Sequence, residues 1–143
     1  MARSIGLDGL DVQISDPTQI DCPSAELNML YNAADCLLFT SRREGFGIPM
    51  IEAMAAGTHV VAPDYGPFAE VLANGAGLRH ETRGPVAWCH GDLRGPGWQS
   101  DHEKIATVLE NLTKDRDSEL IQGVRQKAHD RVFSTYAMPA AIR

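Results

Sequence analysis

No apolar run in this chain approaches the about 20 consecutive residues of a membrane-spanning helix. The N-terminus likewise lacks the apolar core of a secretory signal. Cysteine is scarce: Cys22, Cys36 and Cys89 form an odd, widely spaced set, which excludes a disulfide framework and points to a reducing, cytoplasmic setting. Basic charge is also short, with 13 Lys and Arg against 19 Asp and Glu and a net charge of −6. The arginines are scattered apart from the doublet Arg42–Arg43, so the chain has no basic stripe and nucleic acid is not an expected partner. Repeats and low-complexity tracts are absent. The 143 residues fit one domain by the rough prior of about 150 residues each. An enzyme that works between two domains cannot be complete at this size.

Apolar residues make up 43% and charged residues 22% of the chain, enough for one core. Alternation around Val12 and Ile14 suggests a first strand, closed by a turn at Asp16–Pro17. Ser24, after Pro23, is placed to cap a helix carrying Leu27, Leu30, Tyr31 and Ala34. Cys36–Thr40 reads as a strand buried on both faces. A helix is expected from Pro49 to Ala56, since proline suits its start and Gly57 the left-handed residue after its end. Val60–Ala62 reads as a second buried strand, with a turn over 63–66 and a short helix from Pro67 to Ala73, closed by Asn74–Gly75. Two helices finish the chain. Ile105, Val108, Leu109 and Leu112 line one; Ser118 caps the other, with Ile121, Val124, Ala128 and Val132 inward. The stretch from Arg79 to Ser100, rich in Gly, Pro, Trp and His, has no assignable pattern.

Strand and helix alternate through the first half, the pattern of an α/β domain: a doubly wound parallel sheet with helices on both faces. Ligands in such folds bind beyond the carboxyl ends of the strands. The loops after Thr40 and after Ala62 are therefore the places to look.

The segment Ser41 to Glu52 is the most informative. Gly45 and Gly47 flank Phe46 directly before a helix start, where glycine permits positive φ and close approach of a ligand to the backbone. Free N–H groups and the helix dipole favour a phosphate there. Glu44 precedes the loop and Glu52 is expected within the first helical turn. Two carboxylates around an anion site suit a ligand that also carries hydroxyls, because a carboxylate accepts from both hydroxyls of a diol. A diphosphate with hydroxyls on either side describes a nucleotide sugar. Taken singly, Glu52 equally fits a favourable position near a helix dipole, and Glu44 a pairing with Arg42 or Arg43.

Cys89-His90-x-Asp92, with His80 and His102 nearby, fits no standard zinc spacing, and no metal site is expected. Trp88 and Trp98 read as anchors pinning a long loop onto the domain. A phosphoacceptor receiver-like domain is disfavoured, because only Asp64 sits at a suitable strand end and lysine occurs only at 104, 114 and 127.

Glu44-Gly45-Phe46-Gly47-Ile48-Pro49-Met50-Ile51-Glu52 resembles the Glu-x7-Glu signature of retaining glycosyltransferases of the GT-B fold, the glycosyl transferases group 1 (family 4). Leu30-Tyr31-Asn32-Ala33-Ala34-Asp35 is similar to that family's helix end, and Glu52 to Ala62 to its Glu-Ala-Met-Ala segment. Gly66 to Glu70 and Gly75 to Leu78 resemble the turn and strand that follow. The likeness is close over Leu27 to Leu78 and loose over the last two helices. Thr40 and His59 stand where the family often has proline.

The resemblance implies the Rossmann-like C-terminal half of a GT-B fold, a partial nucleotide-sugar-binding domain over residues 1–143, incomplete at its N-terminus. The acceptor-binding N-terminal domain would be absent, supplied by missing sequence or a separate chain. The implied function is glycosyl transfer from a nucleotide-diphosphate sugar with retention of configuration, with no cofactor and no catalytic metal. Glu44 would be the catalytic residue, touching the transferred sugar. Glu52 would hold the ribose, and Gly45, Phe46, Gly47 and Ile48 would offer backbone amides. Arg42 and Arg43 are possible diphosphate contacts. The acceptor would be a sugar, a lipid-linked sugar or a protein glycan, and the full-length enzyme cytoplasmic or peripheral to the membrane. A truncated, non-catalytic module that binds a nucleotide or a partner without turnover is the alternative. A missing strand would expose apolar surface and favour homo-oligomers or marginal stability.

Overall fold

The computed structural model describes residues 23–90 and 93–136. The strand expected around Val12 and Ile14, and the turn at Asp16–Pro17, lie outside the described residues. The chain order is α1 (Ser24–Ala33), β1 (Cys36–Leu38), α2 (Ile48–Ala55), β2 (His59–Pro63), α3 (Gly66–Val71), a 3₁₀ turn (Ala73–Gly75) and β3 (Leu78–His80). There follow β4 (Thr82–His90), β5 (Leu93–Ser100), α4 (His102–Lys114), α5 (Glu119–Arg131) and a π-turn (Val132–Tyr136).

β1, β2 and β3 form a parallel sheet in that order, with Leu37 opposite Val60 and Ala62 opposite Arg79. Both crossovers step in one direction, so right-handed connections put α2 and α3 on the same face. The packing agrees. Val60 and Ala62 point into a cluster with Met50, Met54, Phe68, Leu72, Ala128 and Val132. Val61, one residue out of phase, points the other way against Leu112 and Ile121, with Val108, Leu109 and Leu78 around them. All five residues of β2 are buried. The helices thus cover both faces, as the alternation of apolar segments implies.

Local sequence accounts for most boundaries. Gly57 at φ 77° ends α2, and Asn74 (φ 60°) with Gly75 (φ 76°) stops the chain after α3. Ser118 caps α5 by accepting from the Ile121 N–H at 3.3 Å. Asp101 does the same for α4, accepting from the Glu103 N–H at 3.1 Å. The inward stripes are as read: Ile105, Leu112, Ile121, Ala128 and Val132 are buried and Val124 is half-buried.

Four expectations change. Ser24 does not cap α1 but is its first residue, with Pro23 at the cap and no side-chain cap bond. Glu52 lies past the first turn of α2, because the helix starts one residue early, at Ile48. β1 is not buried on both faces. Among the described residues it is the sheet's edge, and Leu38 is 38% exposed. The unassigned stretch is an antiparallel hairpin, β4 with β5, whose register shifts between Arg83 and Val86. That irregularity, with Gly84–Pro85 and Gly95–Pro96–Gly97 inside the strands, hides the alternation that would have announced it.

Phe68 is fully buried and its ring meets those of Phe39 (5.6 Å) and Tyr65 (5.1 Å). Phe68→Ala should therefore lower the unfolding free energy by about 3–5 kcal/mol. Urea denaturation of the two proteins measures this, and an unchanged midpoint contradicts the packing.

Candidate functional site

The carboxyl ends of the three parallel strands open onto the loop 39–47, the turn at Asp64–Tyr65 and the residues after His80. The first of these carries the sequence-predicted site. Its geometry is fixed from below by Gly47, which is buried, left-handed at φ 82° and the cap of α2. A Cβ there would lie 2.5 Å from Met50 Cε, the movable end of a flexible side chain, so it is the left-handed φ that calls for glycine. Gly45 is different: its φ is not positive and nothing lies within 4 Å of a Cβ built on it. Its backbone faces open space, which serves access rather than a turn.

Glu44 is half-buried, and its Oε1 accepts from the Gly45 N–H at 3.1 Å. No ion pair joins it to Arg42 among the described residues. Arg42 and Arg43 are both exposed. Phe46 is 46% exposed and meets the Tyr136 ring edge-on at 5.8 Å. Ile48 opens α2 and is largely exposed.

The loop is also held from above. Tyr65 Oη donates to the Ser41 carbonyl at 2.8 Å, and the Trp98 N–H donates to the Arg42 carbonyl at 3.0 Å. The Tyr65 and Trp98 rings stack at 4.7 Å and 10°. Trp98 is thus an anchor, as its size suggests, and what it anchors is the site loop. Burial, then the charge of Glu44, pushes the Tyr65 hydroxyl up to about 12. Behind the loop, buried His80 spans two strand ends, with Nε2 3.3 Å from the Phe39 carbonyl and Nδ1 3.1 Å from that of Glu81. The roles of Tyr65 and His80 in holding the loop do not show in the sequence, because the Ser41 and Phe39 carbonyls they reach belong to distant segments.

Glu52 sits apart from the loop, exposed on α2 beside a groove of about 280 Å³ between α1 and α2, lined also by Ser24, Leu27, Asn28, Tyr31 and Ala55. Its Oε2 accepts from Tyr31 Oη at 3.1 Å. The backbone of Tyr31 is tied in turn, since Thr58 Oγ1 donates to its carbonyl at 2.5 Å. A tertiary hydrogen bond, rather than a helix dipole, therefore orients Glu52. Burial comes first in raising the Tyr31 hydroxyl to about 12, followed by its bond to Glu52 and the carboxylate's charge.

No cluster of three His, Cys, Asp or Glu side chains suited to a metal exists among the described residues. Asp92 of the Cys89-His90-x-Asp92 segment lies outside them. No helix among the described residues is long and apolar enough to cross a membrane.

The tyrosine shifts have a direction that can be checked. Both hydroxyls ionise near 12 in the fold against about 10 in an unfolded chain. The stability they contribute is complete below about pH 10 and drains away as pH rises through the folded values. In a tyrosinate absorbance titration, Tyr31→Phe and Tyr65→Phe should each remove one late ionisation. Glu52→Gln should bring that of Tyr31 down. A Tyr31 that titrates as a free phenol would contradict its bond to Glu52.

Residues 20–125 match the glycosyl transferases group 1 family. The O-antigen chain mannosyltransferase RfbU of Salmonella typhimurium (strain LT2) is 55% identical over 51 residues, which is 36% of this chain and 14% of that protein. A D-inositol 3-phosphate glycosyltransferase of Corynebacterium glutamicum (strain R) is 29% identical over 143 residues, 99% of this chain and 29% of that one. This chain thus spans less than a third of either relative. Among solved structures, the C-terminal domain of the glycosyl transferase group 1 family protein LpcC from Francisella tularensis superimposes with a TM-score of 0.63 at 26% identity, over 96% of this chain and 60% of that one. The parallel sheet, the loop at its carboxyl end and a match over most of its length agree: the chain belongs to the glycosyl transferases group 1 family.

Proposed function

We propose that this chain supplies the donor site of a retaining glycosyltransferase that uses a nucleotide-diphosphate sugar. In this reading residues 1–143 are part of the C-terminal, donor-binding domain, and the acceptor-binding part of the cleft lies in the length of the relatives that this chain does not span. The observation that carries the reading is the seat of Glu44–Gly47 at the carboxyl end of β1, joined through left-handed Gly47 to the start of α2.

The diphosphate lies over that helix start, where N–H groups without helical partners face the ligand. Arg42 and Arg43 add positive charge at its edge. Amides of Gly45, Phe46, Gly47 and Ile48 serve the sugar and the diphosphate; Pro49 has none to give. Glu44 accepts from hydroxyls of the transferred sugar and opposes its developing positive charge. Glu52, oriented by Tyr31, accepts from the ribose diol in the α1–α2 groove.

In the transfer, the bond from the anomeric carbon to the diphosphate oxygen breaks, and the acceptor hydroxyl oxygen bonds to that carbon on the same face. The hydroxyl proton passes to the departing diphosphate. Positioned donors around that leaving group are the main catalytic term, and no metal or cofactor enters the scheme. The name of one relative, a mannosyltransferase, supports a hexose-type donor sugar. The acceptor is a sugar, a lipid-linked sugar or a protein glycan.

Calorimetric titration with UDP-, GDP- and ADP-sugars tests the donor site. One nucleotide series should bind. Glu52→Ala should weaken it by about tenfold or more, the loss of one charge-assisted hydrogen bond, and should weaken the free nucleoside diphosphate equally. Glu44→Ala should leave the free nucleoside diphosphate unaffected and reduce discrimination between sugars. A folded protein that binds none of them refutes the reading.

A further inference from the structure

The other end of the sheet holds a cavity that the donor site does not use. At the amino ends of β1 and β2, a space of about 250 Å³ is enclosed by Asp35, Cys36, Gly57, His59 and the facing parts of α4 and α5, including Arg116 and Arg125. That is just below the roughly 300 Å³ at which pockets for drug-sized ligands begin, a volume suited to a compact molecule.

Its chemistry is unusual for this protein. His59 is only 8% exposed, and its Nδ1 is buried with no hydrogen-bond partner. A buried polar atom left unpaired is destabilising, so it needs a reason. Arg116 is paired, its Nη1 lying 2.9 Å from Asp35 Oδ1. Arg125 forms no ion pair among the described residues. It is held across the end of α2, where a Cβ on Gly57 would come 3.2 Å from both its Nε and its Nη2. Two guanidinium groups against one carboxylate leave the lining with an excess positive charge, on a chain whose net charge is −6. Burial, then Arg125, then Arg116, hold His59 below its ordinary value, while Asp35 acts the other way. The Cys36 thiol is pushed up by burial and by Asp35, and so remains neutral beside it.

We propose that this cavity is a second anion site, separate from the donor site, that takes a phosphate group: free phosphate, or the phosphate of a compact phosphomonoester. Arg125, without an ion pair among the described residues, is the cation that meets it. The neutral His59 ring supplies a hydrogen-bonding group from the cavity wall, while Gln122 on the same wall already donates from Nε2 to the Arg116 carbonyl at 3.1 Å. Arg116 stays with Asp35, which keeps the site from holding two uncompensated charges when empty.

The ¹⁵N resonances of the His59 ring test it in the intact chain, titrated in parallel with sodium phosphate, glycerol 3-phosphate and sodium chloride at constant ionic strength. Phosphate should move the ring resonances saturably and chloride should not. A bound anion favours imidazolium, so the protonation midpoint of His59 should rise. The tighter of the two phosphate compounds identifies which source the cavity prefers. Arg125→Gln should weaken the binding by about tenfold, and Arg125→Lys should restore part of it. A saturating nucleoside diphosphate should leave the His59 titration unchanged, so this result stands or falls apart from the donor site. The proposal is overturned by ring resonances that stay still up to about 10 mM phosphate, ten times a Kd of about 1 mM. It is equally overturned by shifts that chloride reproduces, that Arg125→Gln leaves intact or that the nucleoside diphosphate abolishes. The wild-type titration needs no variant to fold.

Discussion

The structure depends on the complete burial of β2. Its five residues lie between two strands and two helical layers, and a backbone so enclosed must pair every N–H and C=O within the protein. That requirement fixes β1 and β3 on its flanks. Because side chains alternate, it also divides the core into the Val60–Ala62 side and the Val61 side. Everything chemical then sits at one end or the other of this strand. Pro63 leads to Tyr65 and the loop 39–47 it holds, and His59 forms the wall of the cavity beneath.

At the carboxyl end, rigidity reaches the loop through backbone carbonyls. Ser41 and Arg42 each give their oxygen to a donor from elsewhere, the Tyr65 hydroxyl and the Trp98 N–H. The two donors are stacked on one another, and Tyr65 rests edge-on against buried Phe68. The chain that carries Glu44 is thereby anchored to the core through its backbone. Stiff support behind an exposed site is what electrostatic catalysis requires, because donors that must reorganise stabilise less.

Much of this was legible in the sequence. The Glu44–Glu52 segment, the helix ends at Gly57 and Gly75, and the stripes of α4 and α5 follow from residue chemistry and periodicity. What escaped has a common cause. The β4–β5 hairpin, the bond from Tyr31 to Glu52 and the clamp by Tyr65 and Trp98 are all tertiary. They pair segments far apart in the chain, and no local pattern encodes them. Glu52 shows the difference well. Its proximity to the start of α2 suggested a dipole, whereas the structure gives it a phenol from α1. The edge position of Leu38 was hidden for the same reason, since a short apolar run does not say how many neighbours it has.

The bond from the Trp98 N–H to the Arg42 carbonyl also says something about motion. Exchange-protected regions of a protein open in cooperative units, and this bond places the hairpin and the loop 39–47 in one such unit although half the domain separates them in sequence. The hairpin lies outside the parallel sheet, and its Trp98 stacks on Tyr65. Its occasional release would therefore loosen the loop without disturbing β2.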